Sequence, residues 1–422
     1  MLFVNYYSNL SQMNFEKSKE QCDFISKVDN VCQKVREPEE KAYLKEEFND
    51  RLIPEFSKIG MLGCPISSKY RGLGYDILTY LLALERIGEE GSSIRTFFSA
   101  HTSIGQMVLQ SWANEEQKKK FLPQTTDGRS IMGFALTEPD AGSDPSSIVS
   151  YYEEGSDHYT LVGKKHWIGN GTIANYITTY ARDKITGKIS AFIVDMHYPG
   201  IRSLEMKNKI GLLTVKNAEI YFDRCEIPKE NLLALPGQGL NVAYSALIDG
   251  RLSVAAGSIG VMCDCLTESI THSKSREQHG TLLGRKQLIQ DHISRIGIDI
   301  ESSRWLTYRA AIARQKLHEY VEGYKEENSD WLSRLDRRND EYSRLRTQAD
   351  KLAAIAKFHA SNAAFDTANR SVQVFGSFAY QKNARVARHF LDSRATMIYE
   401  GANEVLKLKI AAEILGDDFK SY

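Results

Sequence analysis

The chain has 422 residues, long enough for about two or three domains and a substantial core. Its 54 Lys and Arg balance 54 Asp and Glu, so no basic excess points to nucleic acid and no imbalance to a membrane surface. Charged residues at 26% and hydrophobic residues at 42% are those of a soluble globular protein, not of a disordered or membrane chain.

Met1 to Asn14 is aromatic and polar, without the basic start and apolar run of a secretory signal. From about residue 15 to 130 apolar positions recur at three and four, as in Tyr43–Ile59 and Ile77–Ile87. Breakers at Gly60, Gly63–Pro65 and Arg71–Gly74 divide this stretch into helices, and Glu115–Phe121 opens another that Leu122-Pro123 is expected to close. From about 131 to 235 the texture becomes β: Tyr159–Gly163, Tyr176–Tyr180, Ser190–Asp195 and Ala218–Phe222 are short runs of period two, separated by Gly and Asn. They predict a small antiparallel sheet domain. After Pro236–Gly239 helical patterning returns in Leu240–Ser273, Lys286–Ala313, Thr347–Val374 and Ala402–Leu415, the pattern of a bundle.

Glu319–Arg346 is dense in both charges and reads as a solvated helical extension or a mobile insert. The expected domains are therefore 1–130 (all-α), 131–236 (β) and 237–422 (α bundle, with the charged insert at about 319–346). No uninterrupted apolar stretch approaches membrane-spanning length. The six cysteines show no CxxC pair, which suits free thiols in a reducing cytoplasm and gives no metal site.

The most informative stretch is Phe134-Ala-Leu-Thr-Glu-Pro-Asp-Ala-Gly-Ser-Asp144. A short apolar strand turns into small and polar residues, where Thr137 and Ser143 bring hydroxyls and Gly142 and Ser143 leave backbone N–H groups approachable. By composition alone this is either an ordinary strand-to-loop junction or the cradle of a flat polar ligand. The order of its residues resembles the flavin-contacting signature of the acyl-CoA dehydrogenase family. The helix–sheet–helix layout resembles that family over nearly the whole chain.

The resemblance implies a mostly α fold: an N-terminal helical domain, a middle antiparallel β-sandwich or barrel, and a C-terminal four-helix bundle. It also implies bound FAD, with Phe134, Leu136, Thr137, Gly142 and Ser143 at the flavin. Gly163-Lys-Lys-His-Trp167-Ile-Gly169 is similar to the family segment that covers the ring with Trp167; a Gly stands where the family usually has a hydroxyl residue, so Gly169 offers only its N–H. Arg276-Glu-Gln278-His279-Gly280, followed by Gln287, resembles the family's Arg-x-Gln-Phe-Gly. Arg276 alone reads more often as a surface residue, with a fork for phosphate oxygens as the alternative. The resemblance makes it the clamp on the pyrophosphate of a neighbouring subunit's FAD, which implies a homodimer or homotetramer. Gln373-Val374-Phe-Gly-Ser377-Phe-Ala-Tyr380 is similar to the segment at the cofactor's adenine end.

Met397-Ile-Tyr399-Glu400-Gly401-Ala402-Asn-Glu404 carries the chemistry. Read alone, Glu400 is a first-turn carboxylate favoured by a helix dipole. The match to the family's Ile-Tyr-Glu-Gly makes it the catalytic base, with Ala402 and Glu404 near the cofactor and Tyr399 and Gly401 near substrate. A minority of the family places the base at the position of Gly250 in Asp249-Gly250-Arg251, where no rival carboxylate stands here. Arg251 is expected to order the site.

Ser92-Ser-Ile-Arg95-Thr-Phe-Phe-Ser99-Ala-His101 ends the helical domain. Arg95 reads as a surface arginine or as a substrate contact; the segment resembles the glutaryl-CoA branch, where the matching Arg holds a substrate carboxylate. It is also similar to members that oxidise a three-carbon unit on an acyl carrier protein to a hydroxymalonyl or aminomalonyl extender. The expected substrates are then acyl-CoA or acyl-carrier-protein thioesters, contacted by Arg95, Ser99, Ser143 and Arg251. Electrons are expected to pass to an electron-transfer flavoprotein or, in an oxidase, to oxygen.

Overall fold

A computed structural model describes residues 16–328, 330–334 and 340–419; the N-terminal reading of Met1 to Asn14 lies outside them. The N-terminal helices are α1 (Lys19–Lys45), α2 (Leu52–Ser57), α3 (Ile77–Gly88), α4 (Ser92–Phe98), α5 (Met107–Trp112) and α6 (Glu115–Thr126). Local chemistry sets their starts. Ser18 and Gln21 form a reciprocal capping box on α1, Asn114 and Gln117 another on α6, and Asp76 caps α3 through the Thr79 N–H at 2.7 Å. Ser99–Gln106 continues α4 with a wider π-type spacing. Helix α6 runs through Pro123 rather than stopping there. The carbonyl that the missing proline N–H leaves open is that of Lys119, an exposed residue, and this last turn gains side-chain bonds of its own: Gln124 Nε2 donates to the Lys120 carbonyl and Thr125 Oγ1 to the Leu122 carbonyl.

The middle strands are β1 (Met132–Ala135), β2 (Tyr151–Glu154), β3 (His158–Ile168), β4 (Tyr176–Asp183), β5 (Ile189–Asp195), β6 (Ile201–Glu205), β7 (Ala218–Pro228) and β8 (Leu232–Leu233). Their order is β6-β7-β3-β2-β4-β5-β8, with β1 also on β4. The sheet is mixed, which corrects the antiparallel expectation: β1 and β2 both run parallel to β4. Residues 132–135 pair with 176–179, and 151–152 pair with 182–183. The chain thus leaves one strand line after Ala135 and rejoins it at Tyr151, and the signature turn is the excursion between. Period-two patterning reveals strands but not which one a strand returns to.

The C-terminal region comprises α7 (Gly239–Ser275), a small hairpin of β9 (Glu277–Gln278) and β10 (Thr281–Leu282), α8 (Gln287–Glu327), α9 (Trp331–Arg334), α10 (Asp340–Phe375), α11 (Arg385–Thr396) and α12 (Asn403–Leu415). Helix α11 was not anticipated. The charged stretch continues α8 and begins α10, and Trp331 packs on Trp112 with ring centroids 6.0 Å apart. Among the described helices, α7 is long and apolar enough by mean hydropathy to cross a membrane, although charges such as Asp249 and Arg251 interrupt it; 89% of its apolar window is buried in the protein. Helix α3 crosses α7 at backbone contact, because a Cβ on Gly88 would lie 2.4 Å from the Gly257 carbonyl oxygen. The largest core joins the N-terminal helices to α7, α8 and α10, and a separate core fills the sheet domain. Of the six cysteines, Cys22 is exposed and the others are buried or half-buried.

Candidate active site

The excursion after β1 is held from inside by a charge. Lys165, fully buried on β3, donates to Glu138 Oε1 at 2.6 Å and to the Leu136 carbonyl at 3.3 Å. The same carboxylate accepts from the N–H groups of Val149 and Ser150, so it closes both ends of the turn. Burial opposes its charge, yet Lys165 and these donors hold the Glu138 carboxyl below the usual range; burial pushes Lys165 down to about 8. Phe134 and Leu136 are buried, Thr137 is half-buried, and Gly142 and Ser143 are exposed. The His166 N–H donates to the Thr137 carbonyl at 2.9 Å, bringing the second motif beside the first.

Trp167 then adopts φ 59° and leaves 53% of its surface open. A Cβ on Gly142 would meet nothing within 4 Å, whereas one on Gly169 would lie 3.4 Å from the Ala100 Cβ. An open apolar indole, an open small-residue turn and approachable N–H groups together suit a flat, polar-edged ring system.

The same α4 segment that brings Ala100 to Gly169 also carries Arg95 to the C-terminal turn. Arg95 is 1% exposed and donates through Nη2 to the Tyr399 hydroxyl, while its Nε and Nη1 find no partner among the described residues. It lies over Gly257, where a Cβ would approach the Arg95 Cγ to 2.6 Å. Ser99, one turn further on, is also buried with its Oγ unpartnered. The surface reading of Arg95 is thereby overturned. His101 has another fate: its Nδ1 accepts from the Met132 N–H at 3.0 Å and Nε2 lies 3.1 Å from the Thr125 carbonyl, so it ties β1 to α6.

Glu400 sits in a left-handed turn (φ 55°) followed by Gly401 (φ 93°). Its Oε2 is sealed from solvent and unpartnered. Burial pushes its carboxyl up to about 7, against the pull of Arg251, Arg95 and Lys357. A Cβ on Gly250 would stand 2.2 Å from that oxygen, so the glycine makes room for the carboxylate. Arg251 Nε donates to the Glu400 carbonyl at 3.3 Å, and its Nη1 binds Asp350. Lys357, fully buried on α10 and not singled out by sequence, donates to the Gly401 carbonyl at 2.7 Å. Ala402 is the N-cap of α12 and Glu404 lies exposed in its first turn.

The remaining motif residues gather elsewhere. Arg276, Gln278, His279 and Gln287 are exposed around the β9–β10 hairpin. The Arg276 guanidinium lies 5.5 Å from the Phe378 ring, and His272 stacks on Phe375 at 4.3 Å, which joins this hairpin to the end of α10. Gln373 and Ser377 are exposed there, while Val374 is packed in the core. This end offers a cation, ring edges and an open Gly376, where a Cβ would meet nothing within 4 Å. It fits a dinucleotide tail. No described contact joins it to the Leu136–Ser143 turn.

The three domain models of the acyl-CoA dehydrogenases (N-terminal, middle and C-terminal) match residues 18–129, 133–225 and 237–325 with 333–415. The chain belongs to the acyl-CoA dehydrogenase family, oxidoreductases acting on CH–CH donors. A short-chain-specific acyl-CoA dehydrogenase of Clostridium acetobutylicum is 32% identical, covering 87% of this chain and 90% of its own. A glutaryl-CoA dehydrogenase of Desulfococcus multivorans is 29% identical over 96% of this chain and 98% of its own. The crystal structure of the prolyl acyl carrier protein oxidase AnaB superposes with a TM-score of 0.84 at 27% identity, covering 95% of this chain and 100% of that one.

Proposed function

We propose that the protein is an FAD-dependent acyl thioester dehydrogenase in which Glu400 removes the α-proton. The observation that carries this is the Glu400 carboxyl: sealed and unpartnered at Oε2, pushed up to about 7, and given room by Gly250. A base of that proton affinity is matched to work near neutral pH. The residues present fit FAD, with Trp167 and the Leu136–Ser143 turn for the ring and Arg276, Gln278, His279, Gln287, Gln373 and Ser377 for the tail. Solved relatives support the assignment, among them an acyl-CoA dehydrogenase complexed with FAD from Bacillus anthracis. FAD, when bound, supplies the acceptor for the β-hydride. The Glu400 N–H, in its left-handed turn, would donate to the thioester carbonyl, a contact worth roughly 3 kcal/mol in comparable sites.

A buried guanidinium with two open N–H groups favours a substrate that brings an anion or a polar acyl end. Arg95 and Ser99 present their unpartnered donors from the same helical face, so we place a short carboxylated or hydroxylated acyl group against them. The glutaryl-CoA dehydrogenase relative suits a CoA carrier, and AnaB, a prolyl acyl carrier protein oxidase, suits a carrier protein; oxidation of a carrier-bound three-carbon unit to an extender is the alternative reading. The exposed Arg276 hairpin suits a homodimer or homotetramer with shared cofactor sites. Electrons would pass to an electron-transfer flavoprotein or to oxygen, and the setting is the cytoplasm.

Anaerobic titration of the yellow protein with CoA-bound and carrier-bound thioesters tests all of this. Bleaching by a carboxylated acyl thioester is expected. A protein that binds no flavin, or is bleached by none, would end the proposal. Peroxide release in air separates oxidase from dehydrogenase.

A further inference from the structure

The turn that carries Glu400 is gripped from two sides by cations that touch its backbone. From α7, Arg251 Nε reaches the Glu400 carbonyl at 3.3 Å and is itself fixed by Asp350, to which Lys409 of α12 also binds at 2.8 Å. From α10, Lys357 Nζ reaches the next carbonyl, Gly401, at 2.7 Å and Asn403 Oδ1 at 2.8 Å. Asn403 in turn donates to Ser361 Oγ at 3.0 Å, and its backbone N–H to the Met397 carbonyl at 3.0 Å, closing the turn on itself.

The two cations differ in their balance. Arg251 has a carboxylate in direct contact, whereas both acceptors of Lys357 are neutral. A fully buried ammonium with neutral partners needs a counter-charge nearby. The acidic groups acting on it are Glu400, from the turn, and Glu404, from α12, against the like charge of Arg251. Glu404 is exposed and screened, which leaves Glu400, half-buried with its Oε2 sealed, as the counter-charge. Around Glu400 the field comes from Arg251 and Asp249 on α7, Arg95 on α4 and Lys357 on α10. Asp249 is paired with Arg314 at 2.7 Å and Arg251 with Asp350, whereas among the described residues neither Lys357 nor Arg95, whose Nη2 meets the neutral Tyr399 hydroxyl, has a carboxylate in direct contact; of these two, Lys357 is the one that also holds the backbone of the turn.

We propose that Lys357 is a positioning residue for the base: it pins the Glu400–Gly401 turn through the Gly401 carbonyl and places an ammonium behind the carboxylate that favours its ionised form. The proposal rests on Glu400 being the base. Proton removal from substrate then neutralises the counter-charge of Lys357, so the protonation of the two groups is coupled and titrates as a pair. Burial has set both near neutrality, Lys357 pushed down to about 7 and Glu400 up to about 7.

The test uses flavin-loaded full-length protein with two substitutions acting in the same direction. Lys357→Gln removes the charge but leaves a donor. Asn403→Asp keeps the lysine but sets a carboxylate against its Nζ, in a position already accepting from it. Each is expected to retain flavin and to move the acid limb of the kcat/KM profile upward by about one pH unit or more, the effect of losing one neighbouring opposite charge. The carboxyl stretch that disappears in Glu400→Gln, followed by infrared difference spectroscopy against pH, should move with it. If both variants leave that infrared midpoint unmoved and lose activity only in proportion to lost flavin, Lys357 is a core lysine and the proposal fails. If the infrared midpoint moves while the kinetic limb does not, the lysine coupling stands and the assignment of Glu400 as base falls instead.

Discussion

The two ends of the site are built in contrasting ways. At the proposed reacting end, Glu400 lies among charges from three helices, and Arg95 and Lys357 are 1% and 0% exposed. At the far end, Arg276, Gln278, His279 and Gln287 stand in solvent around a hairpin of two-residue strands. The reacting end is set when the chain folds, because its groups are locked by core packing and by backbone acceptors. The far end leaves its side chains free until something binds them. Changes at the first should alter the rate per bound cofactor, and changes at the second should alter occupancy.

The sharpest way to break that contrast is Glu400→Gln, expected to slow anaerobic flavin bleaching about 1,000-fold while flavin stays bound. Bleaching at near the original rate would remove Glu400 from its role. Next comes Gly250→Ala, whose Cβ would stand 2.2 Å from Glu400 Oε2. Displacing the carboxylate by a fraction of its length should lower kcat/KM about 100-fold with flavin content preserved; a loss of a few-fold would mean that the turn yields. Arg95→Gln should cut the preference for carboxylated over plain acyl thioesters by about 10- to 100-fold, the worth of a lost charged hydrogen bond. Equal effects on both substrates would show that Arg95 only supports Tyr399. The smallest effect is expected from Arg276→Gln, about tenfold weaker flavin binding by fluorescence with an unchanged rate per bound flavin. A changed rate would tie the two ends together.

Much of the fold was legible because helical and two-residue periods are properties of neighbours in sequence. Helix, sheet and bundle came from patterning, and the signature turn and Glu400 from residue order. What escaped reading depends on long-range contact. Lys357 interrupts an otherwise apolar run, Leu352-Ala-Ala-Ile-Ala356, which was a signal, but its partner carbonyl is 44 residues away. Lys165 and Glu138 were both inside quoted motifs, yet nothing local says that they meet. The mixed sheet was hidden for the same reason, since β1 and β2 look like any two short strands until β4 aligns them. The residues around Arg95 leave a surface arginine and a substrate contact both open, because burial of an arginine is decided by the glycine beneath it, here Gly257. Pro123 does not stop α6, because the carbonyl it leaves open belongs to Lys119 on the exposed side of the helix.

The uneven exposure of the thiols has a practical consequence for measuring these effects. Burial raises the proton affinity of Cys32, Cys64 and Cys265 and pushes Cys225 and Cys263 up to about 12, so their reactive thiolate forms are suppressed. Cys22, near the start of α1, is exposed. A maleimide dye should therefore attach there without mutagenesis, which provides a single fixed reporter on the outer helical layer. Copies carrying a donor dye and copies carrying an acceptor dye could be mixed to test by energy transfer whether the chain self-associates, independently of any flavin signal.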